Sequence, residues 1–115
     1  VIPRGVEIFL GVEAIDLRWS FDRLSDIAAE RIGRLARSGA LFVFFGKRRT
    51  ALKILFFDGS GMCLFYKRLD KATFRLPEIP RDATSLTIDE RALDDLLDGI
   101  DVEATPPSRP RERVH

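Results

Sequence analysis

Residues 53–69 read KILFFDGSGMCLFYKRL, and this stretch decides the fold. Two apolar runs, 51–57 (ALKILFF) and 62–69 (MCLFYKRL), flank Asp58-Gly59-Ser60-Gly61. Asp and Gly accept backbone angles that other residues resist, so these four predict a tight turn and the runs a hairpin. On the N-terminal side, the run 41–45 (LFVFF) leads into a basic turn, Gly46-Lys47-Arg48-Arg49-Thr50. Three strands joined by two tight turns make an antiparallel meander. On the C-terminal side, Asp70-Lys71-Ala72 turns the chain into an expected fourth strand, 73–76, which Pro77 and Pro80 end.

The flanks add helices. Residues 6–10 (VEIFL) alternate weakly and read as a first strand, with 11–17 a turn or a second short strand. In 20–36, Leu24, Ile27, Ala28, Ile32 and Leu35 recur at the three-and-four spacing of a one-faced helix. Ser20 is its expected N-cap, Asp22 suits the positive end of its dipole, and Arg34 and Arg37 suit the negative end. Gly33 weakens the last turn and Gly39 is the expected stop. In 84–99, Thr87 and Glu90 fit a capping box, Ile88, Leu93, Leu96, Leu97 and Ile100 line one face, and Gly99 is the stop. Residues 104–115, with three Pro and no apolar pattern, read as a flexible tail. The expected fold is therefore α+β, a mostly antiparallel meander of about four or five strands packed with two helices. A single domain is expected over residues 1–103.

The strands are apolar on both sides: Leu52, Ile54 and Phe56 point one way, Leu55 and Phe57 the other. Two helices covering one face would leave the second needing another layer, either the N-terminal strand or a partner chain. A homo-oligomer is one expectation.

Composition narrows the function classes. With 45% hydrophobic and 32% charged residues among 115, the chain is an ordinary folded domain. The lone Cys63 allows neither an internal disulfide nor a zinc cluster and reads as a core thiol. No apolar run approaches the ~20 residues of a membrane span, and VIPRGVEIF lacks the marks of a signal peptide. A cytoplasmic location without a membrane partner is expected. The single histidine, His115, lies in the expected tail. Asp16, Asp58 and Asp70 each sit where a turn or cap accounts for them, so paired carboxylates for metal chemistry are not indicated. Gly59-Ser60-Gly61 precedes a strand, unlike the glycine loops that cradle phosphates before a helix. No enzyme, cofactor or metal is expected.

The net charge of +1 hides a segregation. Residues 1–45 are neutral, 46–75 carry +6, 76–103 carry −7 and 104–115 carry +2. The basic block holds Lys47, Arg48, Arg49, Lys53, Lys67, Arg68, Lys71 and Arg75. Alternate turns of a meander share an end, so the turn at 46–50 and the turn at 70–72 should converge and gather most of these cations. They are candidate nucleic-acid contacts, since neutralised phosphates release counterions. Two other readings stand beside this: a solvated edge that resists strand pairing, and pairing with the acidic segment 82–103. Tyr66 offers a stacking ring or fills a core. On the second helix, Glu90, Asp94, Asp95 and Asp98 are candidate contacts for a basic protein partner, or the polar side of an ordinary surface helix.

The motifs also resemble a known family, TnpB of insertion-sequence-66 transposable elements. Ile2-Pro3, Gly11, Asp16-Leu17-Arg18 and Phe21-Asp22-Arg23-Leu24 match its opening. Leu41-Phe42-Val43-Phe44, Gly46 and Lys47-Arg48-Arg49 match its centre, followed by Leu52 to Leu55, Phe57-Asp58-Gly59-Ser60-Gly61 and Leu64 to Leu69. Ser85-Leu86-Thr87 and Leu96-Leu97-Asp98-Gly99-Ile100-Asp101 match its close. The family's tryptophans are replaced by Phe57, Leu76 and Val102, and Trp19 stands where the family has a small or charged residue. The resemblance implies a non-catalytic accessory protein of a bacterial insertion sequence. It would support transposition beside a larger transposase, with element-end DNA and the transposase as the implied partners. The alternative is an interaction or oligomerising module without direct DNA contact.

Overall fold

The sheet grows outward from the Asp58 turn. The computed structural model describes residues 5–99. Strand β1 is Ile8–Gly11, helix α1 Phe21–Ile27, β2 Leu41–Phe45, β3 Ala51–Phe57, β4 Met62–Arg68, β5 Ser85–Ile88 and helix α2 Glu90–Leu97. The five strands lie in the order β4-β3-β2-β1-β5. The meander β2-β3-β4 is antiparallel throughout, with Val43 opposite Ile54 and Ile54 opposite Phe65. Strand β1 pairs parallel to β2 and antiparallel to β5, which makes the sheet mixed but mostly antiparallel. The fold is α+β, as the apolar runs predict.

The hairpin turn is held by one carboxylate. Asp58 Oδ1 accepts from the Ser60 amide at 2.8 Å, the Ser60 hydroxyl at 3.0 Å and the Gly61 amide at 2.9 Å. Gly59 stands at φ 102°, a left-handed region that costs glycine least.

Both faces of the sheet are buried across β1, β2 and most of β3, though not as the sequence suggests, while the edge strand β4 leaves Phe65 and Tyr66 exposed. On one face Ile8, Leu10, Val43, Phe45, Leu52 and Ile54 pack under Leu93 and Leu96 of α2 and under Phe74. On the other, Phe9, Phe42, Phe44 and Leu55 pack under Leu24, Ile27 and Ala28 of the first helix. The helices therefore take opposite faces, and each fully buried Leu or Phe contributes roughly 1.5–3 kcal/mol. The geometric reason lies in β1, which places α1 on one side while β5 returns α2 to the other.

Three local expectations change. The first helix stops at Gly33, not Gly39: after α1 the chain winds as a π turn over Ala28–Ile32, and Gly33 closes it at φ 79° with its amide on the Ala28 carbonyl at 2.9 Å. Leu35 consequently leaves the stripe and is 73% exposed. Ser20 occupies the N-cap position but makes no side-chain cap bond. The segment 73–76 is not a strand, because β4 already occupies the outer edge of β3. The chain folds under the sheet instead and buries Phe74 edge-on against Phe45, with ring centroids 6.0 Å apart. Finally, Thr87 is no cap: it pairs with Phe9 in the β1–β5 ladder. The cap is Asp89, which accepts from the Ala92 amide at 2.8 Å. Ile88 is buried in β5, while Ile100 and the expected tail lie outside the described residues.

Candidate nucleic-acid interface

The turn between β2 and β3 and the segment after β4 meet at one end of the sheet. The Leu69 amide donates to the Thr50 carbonyl at 2.8 Å, and the Phe74 amide donates to the Arg49 carbonyl at 2.8 Å. These two bonds and the buried Phe74 ring hold the 69–77 segment against the basic turn. The turn itself closes through the Arg49 amide on the Gly46 carbonyl at 3.0 Å, with Arg49 at φ 58°. Gly46 is fixed by packing: a Cβ there would come within 2.8 Å of Leu17 Cδ1.

Two adjoining clefts result. One, of about 520 Å³, is lined by Lys47, Arg48, Arg49, Arg75 and Glu78 around Phe74 and Pro77. The second, of about 550 Å³, is lined by Thr50, Asp70, Lys71 and Arg75, and shares Thr73 and Arg75 with the first. Lys47, Arg48, Arg49 and Lys71 are exposed. The ion pairs among the described residues are Arg18–Asp16, Arg23–Glu30 and Arg31–Glu13. None joins these four cations to the acidic segment. The cluster is a rim that makes one end of the molecule predominantly basic, with Asp70 and Glu78 the carboxylates that share its clefts.

The other basic candidates are placed differently. Lys53 is 7% exposed, so it leaves the accessible set. Its register partner is Tyr66, and its ammonium donates to the Trp19 carbonyl at 2.7 Å while lying 5.3 Å from the Tyr66 ring. Burial follows from the strand being apolar on both faces, which leaves Lys53 no water-facing side. Lys67 points to the face covered by α2, where its ammonium donates to the Leu97 carbonyl at 2.6 Å and caps the negative end of that helix. Arg68 lies opposite Ala51 beside the rim, and its guanidinium donates to the Tyr66 hydroxyl at 2.8 Å.

The acidic candidates lie on α2. Its apolar residues Ala92, Leu93 and Leu96 face the sheet. Glu90 accepts from the Gly5 amide at 2.6 Å and so ties down the start of the described chain. Asp94 and Asp98 are exposed and Asp95 is half-buried.

The sequence patterns pass over Trp19 and Arg23. The Arg23 guanidinium sits 4.8 Å from the Trp19 ring, beside the Lys53–Tyr66 pair. The signal available was a lone Trp just ahead of a helix N-terminus. Close by, Asp16 is held at about 2, well below 3.8, by the Arg18 side chain and amide that bond it. Among the described residues no group of three His, Cys, Asp or Glu is arranged to hold a metal, and no helix is long and apolar enough to cross a membrane.

Fold and rim together define a small α+β domain with one strongly basic end. The chain belongs to the IS66 Orf2-like family, whose model matches residues 6–106, and it is accordingly an accessory protein of an insertion sequence. It is similar to the uncharacterized protein y4hO of Sinorhizobium fredii (strain NBRC 101917 / NGR234), 34% identical over 103 residues that cover 88% of each chain. It is also similar to the uncharacterized protein y4jC of the same organism, 30% identical over 110 residues, or 93% of this chain and 92% of that one. No solved structure matches the chain.

Proposed function

We propose that this accessory protein is non-catalytic and supports transposition by gripping DNA through the rim formed by Lys47, Arg48, Arg49, Lys71 and the neighbouring Arg68 and Arg75. The observation that carries the proposal is the convergence of two basic turns on shared clefts, where four exposed cations outnumber the lining carboxylates Asp70 and Glu78 and form none of the described ion pairs. A solvated edge guarding against strand pairing would account for Lys67 and Arg68 on β4 itself, but not for the turn. Lys47, Arg48 and Arg49 instead occupy a turn off the outer ladder. Phosphates of the element ends fit such a rim, because each contact releases condensed counterions.

A second reading gives the transposase a place. The exposed Asp94 and Asp98 on α2, with Asp95 between them, leave an acidic surface that would steer a basic protein to the helix. Both readings are separated by one titration of element-end DNA, with and without transposase. The DNA reading expects salt-sensitive binding by the isolated protein and loss of it in Arg48→Glu with Arg49→Glu. Unchanged retention by that variant at low salt refutes it. Recruitment only through transposase, lost in Asp94→Lys with Asp98→Lys, would favour the second.

A further inference from the structure

Beside the rim lies a feature that phosphate binding does not use. Tyr66 is 47% exposed on β4, the edge strand, and its ring has cations at two approaches: Lys53 at 5.3 Å and Arg68 at 6.0 Å from the centroid. Through Lys53 it adjoins Trp19, since the ammonium donates to the Trp19 carbonyl at 2.7 Å. Trp19 carries Arg23 over its own ring at 4.8 Å. Lys53 is buried with no ion pair among the described residues, and the nearby Asp16 is engaged by Arg18. Two flat rings therefore lie in a locally positive field, joined to the rim through Arg68.

Trp19 is half-buried and rests partly on the Phe9–Phe42–Phe44 core, but a core role does not account for Tyr66. A Tyr packed for stability on this strand would tuck its ring under the first helix, as Leu64 does in part. Tyr66 instead keeps nearly half its surface in water. Duplex DNA offers such rings nothing, because its bases are already stacked. Unpaired bases offer a π-face, and the exposed Arg23 and Arg68 complement their backbone.

We propose that Trp19 and Tyr66, flanked by Arg23, Lys53 and Arg68, form a stacking platform for unpaired bases, so that the protein prefers single-stranded over duplex DNA. The inference rests on the DNA reading of the rim and names the form of DNA that reading leaves open. Trp19 is the single tryptophan, so its fluorescence reports directly on the platform.

The test titrates the full chain with a roughly 16-nucleotide oligothymidylate and with a duplex of equal length, following Trp19 emission and anisotropy of the labelled DNA. Expected are tighter binding of the single strand and quenching by that strand. In Tyr66→Ala the single-strand affinity should fall roughly 5- to 150-fold, and Tyr66→Phe, which keeps the ring, should restore most of it. A Tyr66→Leu variant with native circular dichroism guards against a folding artefact. Equal affinity for both forms, no quenching and no effect of Tyr66→Ala would overturn the platform while leaving the rim as a duplex binder. Binding of neither form would overturn the rim reading and the platform together.

Discussion

Phe74 is the residue on which the cleft depends, and its removal has a calculable cost. The ring is 1% exposed and meets Phe45 edge-on at 6.0 Å, and the amide of the same residue donates to the Arg49 carbonyl. Truncating a fully buried Phe costs about 3–5 kcal/mol, transfer and cavity together. A domain of this size holds roughly 5–15 kcal/mol in all, so Phe74→Ala should lose about a fifth of it or more. Of that loss, about 0.5–1.5 kcal/mol belongs to the Phe45 contact. Urea unfolding of wild type, Phe74→Leu, Phe45→Leu and the double variant isolates that contact as a coupling energy. Phe74→Leu should also weaken DNA binding at concentrations where the protein stays folded, because the 69–77 segment loses its anchor to the basic turn. Were Phe74→Ala to cost less than about 1 kcal/mol with zero coupling to Phe45, the segment would not be anchored as described and the cleft would lose its basis.

Three further perturbations test separate parts of the molecule. If the four exposed rim cations each meet a phosphate, log affinity for duplex DNA should fall with log salt at a slope of about 3.6; Arg48→Ala with Arg49→Ala should halve it, so the loss between about 50 and 200 mM salt drops from roughly 150-fold to roughly 12-fold. The Asp58 carboxyl is held at about 2, against 3.8, by the amides of Ser60 and Gly61. A depressed folded-state pKa stabilises above the unfolded value and is lost as pH falls towards about 2, so Asp58→Ala should be less stable than wild type at neutral pH and the gap should close on acidification in thermal melts. Gly11→Ala would set a Cβ 2.9 Å from the Phe44 ring, and chemical denaturation should show a loss of roughly 1–3 kcal/mol.

What the sequence made legible was local. The Asp58 turn and its two flanking strands follow from residue types within a few positions, and the register confirms them. Strand β1 was legible as a strand but not as the parallel neighbour of β2, because that pairing closes a loop through the first helix and no local pattern encodes it. The Thr87 and Glu90 motif failed for a related reason: the β1–β5 ladder satisfies Thr87 backbone groups that a capping role would have left to its side chain. Charge alone counted Lys53 with the surface cations. Strand alternation argued otherwise, since a strand with Leu52 and Ile54 on one side and Leu55 on the other has no solvent face for a lysine between them. The convergence of the two basic turns was readable from connectivity, whereas the link from Trp19 to Tyr66 through Lys53 required the path of 11–19 across the sheet, which composition does not disclose.

The distribution of charge is itself a physical clue to what the domain is for. Like charges crowded at one end repel and lower the stability of the compact state. A fold selected only to persist would engage them in ion pairs, as the 13–31 region does through its Arg23–Glu30 and Arg31–Glu13 pairs. Here Lys47, Arg48, Arg49 and Lys71 lie together without such pairs, while Asp94 and Asp98 stand exposed on α2. Neither cluster packs the core, and the rim's turn does not shield the outer strand. The repulsion at the rim is thus a cost carried by the folded protein that a bound polyanion would relieve. It follows that salt should act in opposite directions on two properties of the same residues, raising the stability of the isolated chain by screening the rim while weakening its hold on DNA.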